Sequence, residues 1–193
     1  MEAIKGYEEA KVIVAKEQLP KGGYKLKVMD AEEVKTDKAH YLKISFDIAD
    51  GVYIGFYKQD YISQQTEDKK WRGFINVFIP KETDTYYEQN LSRFKTIMAD
   101  FEQSNNNFHW DWDEKKLKGK MIGGVFGSEE WEYDGKTGMR TVCRYLTNIE
   151  SIEQEKYKIP ADKLLKGNTT AGAAPTSKGA DFVLTDDDDD LPF

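Results

Sequence analysis

Alternating apolar and polar positions predict strands in the first half of the chain. Residues 24–29 alternate apolar side chains with lysines and a methionine, and residues 41–48 alternate four apolar side chains with polar ones. Side chains two positions apart on a strand share a face, so each segment has one apolar face for a core and one polar face. Residues 71–80 are rich in β-branched and aromatic side chains and end at Pro80, which predicts a third strand.

The hydrophobic period changes to that of a helix after the third predicted strand. Between residues 84 and 103 the apolar side chains recur at spacings of three and four, which places them on one helix face. Asp84 and Thr85 are the candidate N-caps of this helix. Residues 52–66 are ambiguous, and a helical turn or an irregular edge segment both fit them.

Two more strands are predicted at residues 117–133 and 137–152, joined by the pair Asp134-Gly135. An Asp-Gly pair between two β-rich runs is a strong hairpin signal. A helix after the third of five strands is the order of the oligonucleotide-binding (OB) fold, a small and partly open Greek-key barrel. The sequence therefore predicts a mainly β protein, with a five-stranded OB-fold barrel and a helix between strands 3 and 4. The glycines of residues 119–127 suit sharply bent strands, and they also fit an ordinary twisted sheet.

The C-terminal part differs in composition from the rest of the chain. Residues 168–180 are small, polar and without apolar periodicity, which is typical of a flexible linker. A run of five aspartates then precedes Leu-Pro-Phe, and a segment of this composition is expected to be disordered. We predict an N-terminal arm (1–18), an OB-fold nucleic-acid-binding domain (19–165), a flexible linker (166–184) and an acidic partner-binding tip (185–193).

The net charge of −7 at first sight argues against binding to nucleic acid. The charge is unevenly placed, however, because residues 166–193 hold six acids and two lysines and so carry −4. The remaining body therefore carries −3. A body that is nearly neutral can still have a local basic groove.

Composition also argues against several other classes of protein. The single Cys143 excludes an internal disulfide, and it cannot form an ordinary zinc site with only His40 and His109. No apolar run is long enough to span a bilayer, and the N-terminus lacks the pattern of a signal peptide. The pair Asp111 and Asp113 fits the start of the fourth strand better than a catalytic site. We expect a cytoplasmic, non-enzymatic protein with no cofactor and no membrane partner.

The C-terminal residues have the chemistry of a ligand for another protein. Five adjacent aspartates repel one another and cannot belong to a core. An apolar ring beside the α-carboxylate suits an apolar pocket with a basic rim, and the aspartates would speed the encounter. The alternative is that the acids only aid solubility, which does not explain why Leu-Pro-Phe follows them. The predicted partner-binding residues are Asp186, Asp187, Asp188, Asp189, Asp190, Leu191, Pro192 and Phe193.

An acidic segment that ends in Pro-Phe, on a low-complexity linker behind an OB domain, resembles the tip of bacterial single-stranded DNA-binding proteins. The resemblance implies that the tip recruits replication, recombination and repair enzymes, and that it competes weakly with DNA for the groove of its own domain. Leu191 stands where the bacterial tip commonly has isoleucine, which is a conservative difference. The features that form the bacterial tetramer are not found, so a homo-oligomer stays open.

The body of the chain resembles a phage and prophage family from Gram-positive hosts. The segments that carry this resemblance are LPKGGYKLKVMDAEEV, YLKISFDIADG, LKGKMIGGVFGSEEWEYDG and YKIPADKLL. The family is usually taken to consist of phage single-stranded DNA-binding proteins. The resemblance therefore implies a protein of the bacterial host cytoplasm that coats single-stranded DNA.

Binding of single strands without sequence preference needs cations for phosphates and exposed rings for bases. On the third strand, we interpret the face with Phe74 and Phe78 as the DNA platform and the aliphatic face as core; the reverse is the alternative. The basic cluster around Trp71 is either a clamp on the strand or a solvated turn in which Trp71 closes the barrel. Arg144 either lines the groove or forms a surface ion pair. The candidate DNA-binding residues are Lys25, Lys27, Tyr41, Lys43, Lys69, Lys70, Trp71, Arg72, Phe74, Phe78, Lys136, Arg140 and Arg144.

Two other functions remain as alternatives. In the first, the protein is an adaptor or recombination mediator whose body binds protein and whose tip competes for the docking pocket on host enzymes. In the second, it is a nuclease or other DNA-processing enzyme with an accessory tail. No carboxylate or histidine constellation in the sequence favours the enzyme.

Overall fold

The structure is a computed structural model, and it describes residues 18–37 and 39–165. The predicted N-terminal arm, apart from Gln18, lies outside the described residues, as do the predicted linker and tip.

The order of elements confirms the predicted sequence of three strands, a helix and two strands. The ambiguous segment before the third strand forms a helix, and a further short helix follows the fifth strand. The elements are β1 (Gly22–Lys35), β2 (His40–Ile48), α1 (Phe56–Ser63), β3 (Phe74–Phe78), α2 (Tyr87–Ser104), a 3-10 helix (Glu114–Leu117), β4 (Met121–Tyr133), β5 (Lys136–Thr147) and α3 (Ile149–Glu153).

All five strands form one antiparallel sheet in the order β3-β2-β1-β4-β5. The edge strands β3 and β5 approach each other, with Cα atoms within 8 Å. The sheet is therefore curled into a partly open barrel with a helix between β3 and β4. This arrangement is that of an OB-like fold and confirms the predicted fold class.

A bulge in β1 lets this strand pair with two neighbours along a curved path. The register with β2 shifts between Val28 and Asp30, so Met29 is the extra residue, and it is 42% exposed. β4 pairs with β1 only up to Lys27. Beyond that point the loop before β4 continues beside β1, since the Val28 N–H donates to the Lys120 carbonyl at 2.9 Å.

The barrel interior is filled by the apolar faces that the alternation predicts. The side chains of Leu26 and Val28 on β1 and of Ile44 on β2 are at most 1% exposed. The helix α2 adds Phe94 and Phe101 to the same core. These positions fall on the helix face expected from the three-and-four spacing.

The predicted start of α2 and the predicted end of the fifth strand are wrong. The N-cap of α2 is Tyr86, which makes no side-chain capping bond. Asp84 instead accepts the Lys81 N–H at 2.9 Å, in the turn before the helix. The fifth strand ends at Thr147 rather than Ile152, because the side chain of Asn148 accepts the Ser151 N–H at 2.8 Å and caps α3.

The hairpin between β4 and β5 is tight. Asp134 and Gly135 have φ values of 50° and 70°, as the two central residues of a type I′ turn require. Further along the hairpin, Trp131 lies opposite Gly138, where a Cβ atom would be 2.8 Å from the indole ring. Glycine at this position lets the ring lie flat across the ribbon.

Asp47 fixes the position of α1 over the end of β2. Its side chain is buried, and its Oδ1 atom accepts the N–H groups of Ile48 and Tyr57, both at 2.9 Å. Its Oδ2 atom accepts the Lys58 N–H at 3.2 Å. The carboxylate thus accepts hydrogen bonds from N–H groups in the first turn of α1, which have no partner within the helix. Its negative charge also interacts favourably with the positive end of the helix dipole.

We expect Asp47→Ala to lower the free energy of unfolding by about 2–3 kcal/mol, because it leaves buried N–H groups without a charged acceptor. Urea unfolding followed by circular dichroism measures the change. Asp37→Ala, in an exposed turn, is the control and should change the free energy by less than about 0.5 kcal/mol. Equal stability of the two variants would show that Asp47 does not anchor α1.

Candidate nucleic-acid interface

One face of β2 and β3 points away from the core and carries aromatic side chains. Phe74 and Phe78 are 38% and 45% exposed, whereas Val77 between them is 5% exposed. The aliphatic face of β3 is therefore inside, as interpreted from the sequence, and the reverse assignment does not occur. We call this outer face the β2–β3 platform; its residues are Tyr41, Lys43, Phe74, Asn76 and Phe78.

The cross-strand register brings the platform residues together in pairs. Tyr41 lies opposite Phe78, with ring centroids 6.2 Å apart and planes at 64°. Lys43 lies opposite Asn76, and its Nζ atom is 5.6 Å from the centroid of the Phe74 ring. The same ammonium is 3.3 Å from Glu32 Oε1 on β1. The platform thus combines three rings with one cation, and that cation is partly neutralised.

The two lysines predicted on β1 have different surroundings. The Lys25 Nζ atom pairs with Glu153 at 2.8 Å and with Asp50 at 3.2 Å. These bonds, to Glu153 first and then to Asp50, raise the pKa of Lys25. Lys27 is exposed and forms no ion pair with any described residue. Lys27 is therefore the better candidate for a phosphate contact.

Trp71 closes the edge of the barrel. Its indole N–H donates to the carbonyls of Phe46 at 3.1 Å and Gly73 at 3.0 Å. The ring packs against the core and lies 5.9 Å from the Tyr61 ring. These contacts fit the alternative in which Trp71 closes the barrel, and a contact of the loop with DNA stays a prediction.

The basic residues around Trp71 are held by local contacts. Lys69 donates to the Ile62 carbonyl at 3.1 Å, and its Nζ atom lies 5.9 Å from the Tyr61 ring. The side chain of Gln64 holds the backbone of Lys70 through two hydrogen bonds of 2.8 and 2.9 Å.

Arg72 continues this loop toward β3. Its Nη1 atom is 3.7 Å from Asp60, while its side chain stays 57% exposed. Arg72 can therefore still reach a phosphate beside Phe74, two residues further along.

The β4–β5 hairpin carries the remaining predicted cations in acidic surroundings. Lys136 is exposed, and Arg140 pairs with Glu129 at 3.4 Å. Residues 129–140 contain four acids and two bases, a net charge of −2. Because phosphates are repelled by this balance, the hairpin is a poorer candidate than the platform.

Arg144 is the extra residue at a register shift on β5. Its neighbours Cys143 and Tyr145 pair with adjacent residues of β4, and Arg144 is skipped. A Cβ atom on Gly127 would lie 3.2 Å from Arg144 Cγ and 3.6 Å from Pro160. Arg144 is thus half-buried beside the segment that follows α3, and the structure does not place it on the platform.

Trp112 is an exposed ring that the sequence pattern did not reveal. Its alternation with acids was interpreted as the start of the fourth strand, but β4 begins only at Met121. Trp112 is 73% exposed and has a positive φ of 68°. Neither property leaves a signal in the hydrophobic pattern.

Other kinds of site find no support among the described residues. Within residues 18–37 and 39–165, no three His, Cys, Asp or Glu side chains converge as they would around a metal ion. No helix of that part of the chain is long and apolar enough to cross a membrane. Cys143 is buried, and its burial raises the pKa of the thiol far above its usual range.

The chain matches no protein-family model, and no curated protein is similar to it in sequence. Among solved structures it is similar to yeast RPA bound to ssDNA, with 10% sequence identity and a TM-score of 0.29. The similarity covers 81% of this chain and 93% of the RPA chain.

The burial of Cys143 predicts an unreactive thiol. The thiolate is the reactive form, and both the raised pKa and the packing around it suppress its formation in the folded protein. Ellman's reagent should therefore release no thionitrobenzoate from the native protein and one equivalent after unfolding in guanidinium chloride. Thr137→Cys, on the exposed start of β5, supplies a reactive control. Rapid reaction of the native wild type would contradict the structural role of Cys143.

Proposed function

We propose that this chain is a non-enzymatic single-stranded DNA-binding protein that coats unpaired strands through the β2–β3 platform. The observation that carries the proposal is the exposure of Phe74 and Phe78 beside Tyr41, while Val77 between them is buried. The exposed part of each phenylalanine gains nothing from folding, whereas a nucleobase that covered it would remove further apolar area from water. The face of strands 2 and 3 is also where OB folds bind oligonucleotides.

The spacing of the rings suits separate bases. Phe74 and Phe78 are four residues apart on one strand, which places them about 13 Å apart. Lys43 lies opposite Asn76, between the levels of the two rings, where its ammonium can bind a phosphate. Because every base has a π-face, such a platform binds without sequence preference.

Stacking is expected to dominate the affinity over charge. Lys25, Arg72 and Arg140 each have a carboxylate partner. Lys27 and Lys43 remain the main cations near the platform, and Lys43 is itself shared with Glu32. We therefore expect a salt dependence that corresponds to only a few phosphate contacts.

The finer role concerns the C-terminal tip, whose residues lie outside the described part of the chain. We propose that the tip recruits replication, recombination or repair enzymes in the cytoplasm of a bacterial host during phage DNA metabolism. Support comes from the chemistry of the sequence: Leu-Pro-Phe, with its aromatic ring, follows a run of aspartates. An adaptor that binds only protein would share this tip, so DNA binding by the body separates the two functions.

The function is tested by titrating oligo-dT into the purified protein and into residues 1–166 at several salt concentrations. We expect binding that weakens as salt rises, and Phe74→Ala or Phe78→Ala should each raise Kd by about 5- to 150-fold through loss of one stacked base. Lys43→Ala should instead reduce the salt slope by about 1. Ile62→Ala, exposed on α1, is the control and should change neither quantity. Absence of binding even at low salt would favour the adaptor.

The tip has its own test. Deleting Phe193 should abolish capture of partner enzymes by the immobilised protein, because the aromatic ring is lost. The DNA affinity should stay equal or rise, since the tip competes weakly for the groove. Leu191→Ile is the matched control and should keep capture. Partner capture that survives the deletion would contradict the proposed role of the tip.

A further inference from the structure

A second surface with an exposed ring and lysines lies between α2 and β4. We call it the Trp112 surface; its residues are Trp112, Lys115, Lys116, Lys118 and Lys120, with Phe94 beneath the ring. None of these residues belongs to the β2–β3 platform, and the core does not need the Trp112 side chain, which is 73% exposed.

The Trp112 ring is held in place although it faces solvent. It lies nearly parallel to the Phe94 ring, with centroids 6.2 Å apart and planes at 12°, and Trp110 lies 6.1 Å away. The backbone has a positive φ of 68°, which is rare and costly for a bulky residue. A large ring that is both exposed and fixed has little conformational freedom left to lose on binding. This property makes it suitable for stacking on a base.

The charge around this ring favours an anionic ligand. Residues 111–120 contain four lysines and three acids, a net charge of +1 in a chain whose total is −7. Asp111 is paired with Lys116, whose hydrogen bond lowers the pKa of Asp111. Lys115 and Lys118 are exposed, and their ammonium groups have no partner among the described residues. These two cations are available for phosphates.

The sheet register connects this surface with the platform. Phe74 on β3 pairs with Ser45 on β2, and the next residue of β2, Phe46, pairs with Val28 on β1. On its other side, Val28 is hydrogen-bonded to the loop before β4, through Gly119 at 2.8 Å and Lys120 at 2.9 Å. The loop therefore lies three strand spacings, about 14 Å, across the sheet from Phe74.

We propose that a single strand bound on the platform continues across the bulge of β1 and stacks a further base on Trp112, with Lys115 and Lys118 binding its phosphates. This inference rests on the proposed function. It assigns the Trp112 surface to the same nucleic acid rather than to a protein partner, because the surface is basic and the loop that joins it to β4 lies beside β1.

The full-length protein is titrated with oligo-dT of about 6 and about 20 nucleotides, one short enough to fill the platform alone and one long enough to reach further. Trp112→Ala should raise Kd for the long oligonucleotide about 5- to 150-fold and leave Kd for the short one unchanged. Trp112→Phe keeps a ring and should restore most of the affinity. Lys115→Gln combined with Lys118→Gln should reduce the salt slope for the long oligonucleotide only.

The outcomes separate this inference from the proposed function. Phe74→Ala should weaken both oligonucleotides, and circular dichroism of each variant shows whether it is folded. One outcome would contradict the inference: the wild type binds and Phe74→Ala weakens binding, but Trp112→Ala and the double lysine variant bind the long oligonucleotide normally. The Trp112 surface would then have another occupant. If the wild type binds neither oligonucleotide, the proposed function fails. Quenching of tryptophan emission by the long oligonucleotide should be reduced in Trp112→Phe.

Discussion

The register between β2 and β3 is the interaction on which the platform depends. With Leu42 opposite Val77 and Ile44 opposite Ile75, the aliphatic side chains of both strands face the core. A slip of one residue would exchange the faces and bury the phenylalanines. The register is fixed just before β3, where the Phe46 N–H donates to the Gly73 carbonyl at 2.7 Å. The Trp71 indole N–H donates to the carbonyls of both Phe46 and Gly73. Trp71 therefore helps to fix the position of β3 and so the position of the platform rings.

Much of the fold follows from local pattern, and the parts that do not have identifiable causes. Alternation located the strands because their inner faces are filled by aliphatic residues, and Asp134-Gly135 located the hairpin because few other pairs adopt two positive φ values. The segment that forms α1 was ambiguous in the sequence because the residue that anchors it, Asp47, lies on β2. Asp47 is ten residues before Tyr57, whose N–H group donates to it. The short helix α3 was missed because Asn148 looks like any polar residue until its side chain is seen to cap Ser151.

The candidate site was predicted more completely in its rings than in its charges. Exposure of Phe74 and Phe78 follows from the alternation of β3, which assigns one face once the other is taken as core. Pairing of cations does not follow from alternation, because the acids that neutralise them are distant in sequence. Lys25 shows this clearly, since its partner Glu153 is on α3, more than a hundred residues away. The exposed Trp112 ring was not predicted for the same reason, because its contact with Phe94 forms only in the tertiary structure.

Charge differs between the two ends of β4, and this difference bears on the direction of the proposed DNA path. β4 starts at Met121 beside the lysine-rich loop and ends at Tyr133 in the acidic hairpin, a distance of about 40 Å for thirteen residues. Its first half pairs with β1, so that Met121 is opposite Lys27 and Phe126 is opposite Gly22, and the hairpin extends past the start of β1. A polyanion on the platform is thus repelled at one end of β4 and attracted at the other. On the proposed path over Met29, a single strand would pass the exposed Asp30 and then approach the lysines before β4, and it would move away from the acidic hairpin.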